Sequence, residues 1–146
     1  QRSEARKAYR LQELPRTAKK TGLPLTLHPA HFPTNPAPSS YAIIAAQKAG
    51  GGDIGALVRY LLAACWAEEK NIAEDDVIRA CLSRAGFDPA LADKGLLDGA
   101  MAYEANTDEA ITRGAFGAPF YITDTDERFW GQDRLEDLDA YLAGAL

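Results

Sequence analysis

The sequence predicts an α/β chain that is helical over most of its length and carries its few strands near the C-terminus. Two patterns say so, and a third divides the chain. From Ile54 to Cys65, the residues Leu57, Val58 and Leu61 complete an apolar series at i, i+3, i+4, i+7 and i+11, the period of a helix that buries one face. From Phe120 to Trp130 the text changes to a short apolar run, an Asp-Thr-Asp-Glu turn and a second apolar run, which reads as a β-hairpin. Prolines at positions 24, 29, 33, 36 and 38 mark a loop that separates an N-terminal helix from the main helical body.

Each element has a local cause. Residues 2–21 read as a helix with Leu11, Leu14 and Ala18 on one side and Lys19 and Lys20 complementing the dipole of its last turn. Pro15 is expected to break or kink it near Glu13, because proline removes a backbone donor. Gly22 and Pro24 stop it. Ser39 or Ser40 is expected to cap the next helix, which runs through Lys48 to the Gly50–Gly52 run. Asp53 caps the following helix, which ends at Trp66. A further helix spans 74–84, with Ile78, Cys81, Leu82 and Ala85 on one face and Gly86 as its stop. Asp88-Pro89 reads as a cap with proline in the first turn, and one or two more helices carry the chain to Arg113. Within them, Thr107-Asp108-Glu109 is expected to start a turn. Gly114 and Gly117 bracket the change from helix to strand, and Pro119 opens the strand where its missing N–H costs no ladder bond. The last helix begins after Gly131, with Gln132 and Asp133 beside its unpaired N–H groups.

Composition narrows the function classes. The 146 residues are 47% hydrophobic with a formal net charge of −5, enough for a core and too acidic for a general nucleic-acid surface. No run of about 18 apolar residues and no signal-peptide pattern is visible, so no membrane partner is expected and the placement is cytoplasmic. Cys65 and Cys81 form no Cys-x-x-Cys and read as small core residues in a reducing compartment. His28 and His31 have no Asp, Glu or Cys at ligand spacing, so no metal is expected.

Three segments carry a resemblance. Gly114-Ala-Phe-Gly-Ala-Pro119, Phe129-Trp-Gly-Gln-Asp-Arg-Leu135 and Gly22-Leu-Pro-Leu25 are similar to the 2-hydroxychromene-2-carboxylate isomerase family, whose relatives are kappa-class glutathione transferases and DsbA-like thioredoxin folds. The likeness covers nearly the whole chain. It implies a thioredoxin-like fold of the DsbA/kappa type with an all-helical insertion domain. Residues 1–36 would be a helix and proline-rich loop of the thioredoxin-like part, 37–113 the insertion, and 114–146 the C-terminal half with hairpin and final helix.

The resemblance also implies a site. The family's cis-proline loop holds the cysteinyl backbone of glutathione, which maps to Ala118 and Pro119. The start of the last helix holds the γ-glutamyl end, which maps to Gln132 and Asp133; the Asp133 carboxylate would face the ammonium group, with plain helix capping as its alternative role. Arg6, three positions before Tyr9, would approach the glycyl end. Asn35 and Trp66 would border the substrate pocket, with turn formation ahead of Pro36 and simple packing as their alternatives. The implied activity is glutathione-dependent isomerisation of a hydroxychromene carboxylate, a small aromatic carboxylate from aromatic-hydrocarbon breakdown. A kappa-like glutathione transferase, a DsbA-like thiol–disulfide oxidoreductase, and a non-catalytic homologue or assembly partner pairing through a sheet edge remain alternatives, and a homodimer is one arrangement the relatives suggest. The family's first βαβ portion carries a serine that faces the glutathione sulfur. This chain starts at Gln1 with a helical stretch, none of Ser3, Ser39, Ser40 and Ser83 stands in the matching context, and the chain alone is expected to be a poor catalyst.

Overall fold

The computed structural model describes residues 3–146, so the helix start expected at residue 2 lies outside the described residues. The chain divides into two compact units, 1–103 and 104–146. The first holds α1 (Glu4–Thr21), α2 (Ala37–Ala49), α3 (Ile54–Trp66), α4 (Asp75–Arg84), the short α5 (Leu91–Lys94) and the first part of α6 (Leu96–Thr112). The second holds the rest of α6, β1 (Phe120–Ile122), β2 (Arg128–Trp130), a 3-10 turn (Gln132–Arg134) and α7 (Leu135–Leu142). The division between the units, at 103/104, falls inside α6 and so before the boundary expected at 113/114.

The core of the first unit follows the apolar stripes. Leu57, Leu61 and Ala64 of α3 meet Ile78, Cys81 and Leu82 of α4, with Ala42 and Ala46 of α2 closing one side and Phe87 another. Leu57, Ile78 and Leu82 are fully buried. Helix α3 starts where Asp53 accepts the Ala56 N–H at 2.9 Å, a side-chain cap, and α4 ends at Arg84 with Ala85 as its C-cap, followed by Gly86, whose φ of +83° favours glycine. Arg84 then lies over the Tyr60 ring, 4.1 Å from its centroid.

Three local expectations are corrected. Helix α1 runs unbroken through Pro15. The bond that proline removes would have gone to the carbonyl of Leu11, which is exposed, so solvent can take its place. Helix α2 begins earlier than expected, at Ala37, and neither serine caps it: Pro36 stands at the N-cap with no side-chain cap bond, Asn35 Oδ1 accepts the Ala37 N–H at 3.1 Å in a turn across that proline, and the buried Ser39 hydroxyl donates to the Pro36 carbonyl at 3.0 Å. Thr107-Asp108-Glu109 starts no turn and lies inside α6. Its acids are exposed there, and solvation removes the need for a helix N-terminus.

Helix α6 packs closely on α2 through glycine. A Cβ on Gly99 would lie 2.7 Å from the Tyr41 carbonyl oxygen and 2.8 Å from Tyr41 Cβ, so only the absent side chain lets the backbones approach. Tyr41 and Tyr103 meet edge to face beside this contact, centroids 5.6 Å apart.

In the second unit β1 and β2 pair antiparallel, with Phe120 opposite Trp130 and Ile122 opposite Arg128. The turn between them is fixed by Thr123, whose hydroxyl accepts the Glu127 N–H at 3.0 Å. Gly131 N–H then donates to the Pro119 carbonyl at 3.0 Å, extending the ladder by one bond. Phe129 packs against Tyr141 of α7, and the Tyr141 hydroxyl bonds Thr125. Among the described residues no helix is long and apolar enough to cross a membrane.

Candidate functional site

The first unit contains a cavity of about 690 Å³ between α1, the proline-rich loop and the end of α3, within the size range of small-molecule sites. Its helical wall is Lys7, Arg10, Leu11 and Leu14, one face of α1 at i, i+3, i+4 and i+7. Its loop wall includes Leu27, Pro29 and Phe32, and Trp66 forms the third side. Thr26 N–H donates to the Trp66 carbonyl at 2.6 Å, which ties the loop to the last turn of α3. Phe32 lies against Trp66, centroids 4.5 Å apart and planes at 45°. The Arg10 guanidinium carbon sits over both rings, 5.5 Å from Phe32 and 5.4 Å from Trp66. The cavity thus offers flat aromatic and aliphatic walls with a cation held against them, an arrangement for an aromatic ligand with negative charge.

Of the residues singled out in the sequence, Trp66 lines this cavity. Asn35 lies in a neighbouring groove with His31, Thr34 and Asn71 that shares Phe32 and Pro33 with it. There Thr34 Oγ1 donates to Asn71 Oδ1 at 2.9 Å, and the Asn35 side chain is engaged in the turn across Pro36, accepting the Ala37 N–H. Arg6 is exposed, one turn before Arg10, and its backbone N–H donates to the Ser3 hydroxyl. Arg10 and Phe32 were not anticipated as walls. Arg10 shares the stripe of Leu11 and Leu14, yet a charged residue there is normally solvated, and Phe32 stands in a proline-rich loop that has no period.

Ala118, Pro119, Gln132 and Asp133 come together in the second unit, where the Pro119 carbonyl meets Gly131 just before the 3-10 turn. Ala118–Pro119 and Phe32–Pro33 are cis peptide bonds. Ala118 is exposed, and among the described residues its N–H and C=O take part in no hydrogen bond. Gly117 sits against the Trp130 indole and leaves no room for a Cβ. Gly131 has φ +109° and its Asp133 neighbour folds back over it, so an added Cβ would run into the Asp133 carboxylate. Asp133 pairs with Arg134 only loosely, at 3.5 Å, while Arg134 also reaches Asp137 at 3.2 Å. Gln132 and Asp133 are both exposed, so one carboxylate and one amide stand open in the same unit as the unbonded Ala118 backbone.

The model of the DSBA-like thioredoxin domain family matches residues 1–143. The chain belongs to that family. This DSBA-like chain is similar to the 2-hydroxychromene-2-carboxylate isomerase of Sphingobium xenophagum, with 30% identity over 134 residues that cover 90% of this chain and 66% of that protein. It therefore spans just under two thirds of that curated relative's length. A solved structure of a 2-hydroxychromene-2-carboxylate isomerase superposes with a TM-score of 0.73 at 24% identity, over 97% of this chain and 68% of that one. The expected fold, a DsbA-like thioredoxin architecture enlarged by helices, is the one these likenesses give.

Neither thiol of this DSBA-like chain is placed for exchange chemistry. Cys65 and Cys81 are free and buried in the α3–α4 core. Burial pushes the Cys65 thiol up, and burial also pushes Cys81 up, aided by Glu68 and opposed by Arg84 and Lys70. A raised thiol holds less thiolate at neutral pH, and thiolate is the nucleophile. Iodoacetamide at pH 7.5 is expected to label both cysteines far more slowly in the folded chain than in urea; equal rates would place them at the surface. Among the described residues no group of three or more His, Cys, Asp or Glu is arranged to hold a metal ion.

Proposed function

We propose that this chain is the ligand-holding part of a glutathione-dependent isomerase acting on a small aromatic carboxylate, in the class of 2-hydroxychromene-2-carboxylate. The observation that carries the reading is the α1 cavity, whose Trp66 and Phe32 faces and nearby guanidinium suit a flat, anionic, conjugated molecule. Family membership and the curated relative's name agree with it.

The residues of the second unit fit glutathione in chemical kind. Ala118 offers an unbonded N–H and C=O to an extended peptide backbone, Asp133 offers a carboxylate to an ammonium group, and Gln132 offers an amide to a carboxylate. Bound glutathione would supply a thiol able to add reversibly to a conjugated carbon framework. The chain's own contribution is to orient the ligand: the aromatic walls hold the ring plane, and rotation about one bond requires only that the far end of the molecule be left free. Cys65 and Cys81 are buried, with their thiols pushed up by burial, which favours this reading over thiol–disulfide exchange by the chain itself.

Calorimetric titration with glutathione tests the assignment. Asp133→Ala is expected to weaken binding by about 1 kcal/mol, roughly fivefold in Kd, a modest loss because the carboxylate is solvated. Turnover of 2-hydroxychromene-2-carboxylate, followed by its absorbance change, is expected to require glutathione. Turnover that is indifferent to glutathione, or a protein that binds none, would remove the cofactor from the proposal.

A further inference from the structure

We infer that Arg10 sets the ligand charge that the α1 cavity accepts, pairing with the carboxylate of a planar aromatic acid whose ring lies against Trp66. This rests on reading the cavity as the substrate pocket. The charge pattern of the chain points to it. Arg59, Arg79, Arg84, Arg113, Arg128 and Arg134 each pair with a carboxylate, as expected where acids outnumber bases 21 to 16. Arg10 pairs with none among the described residues. Arg6 and Arg16 also lack a carboxylate, but both are exposed and water serves them; Arg10 is half-buried.

The surroundings of Arg10 explain what it lacks. A guanidinium over aromatic rings engages them through its face, which leaves its in-plane N–H groups to find acceptors. The Phe32 and Trp66 rings and the Leu11 and Leu14 side chains supply none, and His28, which also lines the cavity, makes no hydrogen bond to Arg10 among the described residues. Lys7, the other cation of the wall, already has a carboxylate partner in Glu4, at 2.7 Å. The unfilled demand in the cavity is therefore for one planar anion, and a carboxylate matches the guanidinium fork with two parallel bonds. A neutral ligand of the same shape would cover the N–H groups without pairing them, and sites of that kind reject such ligands strongly.

The experiment uses a Trp130→Phe background, which leaves Trp66 as the single indole of a chain with two tryptophans. Its fluorescence is titrated with 2-naphthoate and with the neutral isostere 2-naphthamide. Expected is a preference for the acid of roughly tenfold or more, lost in Arg10→Met with the amide's affinity unchanged, and partly kept in Arg10→Lys, which retains charge without the fork. In the titration, three results would overturn the inference: no preference in the parent, a preference that survives in Arg10→Met, or equal weakening of both ligands, which would make Arg10 a packing residue. Helix α1 buries no residue, so neither variant threatens the fold. An Arg10-dependent preference in a protein that does not turn over the hydroxychromene acid upholds this inference and removes the proposed reaction. Turnover with a KM unmoved by Arg10→Met does the reverse.

Discussion

Phe87→Ala is expected to cost the first unit about 4 kcal/mol of unfolding free energy, near the middle of the range for emptying a buried phenylalanine site. The ring is 6% exposed and belongs to the core of α2, α3 and α4. It also lies across Gly52, where a Cβ would stand 2.7 Å from the ring, so the Gly50–Gly52 turn is shaped around it. Collapse into the void is hindered on both sides. Phe87 N–H donates to the Leu82 carbonyl at 2.9 Å, and Asp53 N–H donates to the Ala85 carbonyl at 2.9 Å, which fixes the two loops that would have to close. Urea denaturation should show a lower midpoint with an unchanged slope. A loss below about 1 kcal/mol would mean that the loops relax after all.

The second large effect is expected at the α2–α6 contact. Gly99→Val should destabilise by about 3 kcal/mol, the upper end of what overpacking costs. Helix propensity argues the other way, since glycine in a helix interior is worse than valine by a few tenths of a kcal/mol. Sterics win because the first atoms in the way are the Tyr41 carbonyl oxygen, Cβ and Cα at 2.7–2.9 Å. Backbone cannot rotate aside as a side-chain tip can. Thermal melting of Gly99→Val against Gly99→Ala measures it, and a variant as stable as the parent would show that α6 slides along α2 freely.

Much of the fold was legible because period and punctuation agree in the middle of the chain. The α3 stripe, the Asp53 cap, the Gly86 stop and the hairpin from Phe120 to Trp130 each have a cause within a few residues, and each stands where those residues put it. The misread positions are those where a local rule competes with context. Pro15 breaks helices whose lost bond is buried, and its own is exposed. Ser39 is a good cap by type, yet Asn35 stands two residues before the first helical N–H and reaches it. Thr107 has turn chemistry around it but no glycine or proline to enforce a turn. Trp66 could be placed on the cavity because the resemblance to the isomerase family implied it. Arg10 could not, because a charged residue on an amphipathic stripe is normally solvated, and only the position of the Phe32 loop makes it otherwise.

Helix α1 supplies one wall of the cavity while burying none of its own residues. A wall attached in this way has little of the apolar contact that protects a helix from local opening, and the Leu11 and Leu14 side chains that could provide it face the cavity. Whatever fills that space would give α1 the missing contact surface. Binding and the ordering of α1 would then be one thermodynamic event, with a larger heat-capacity decrease than the ligand's own burial accounts for.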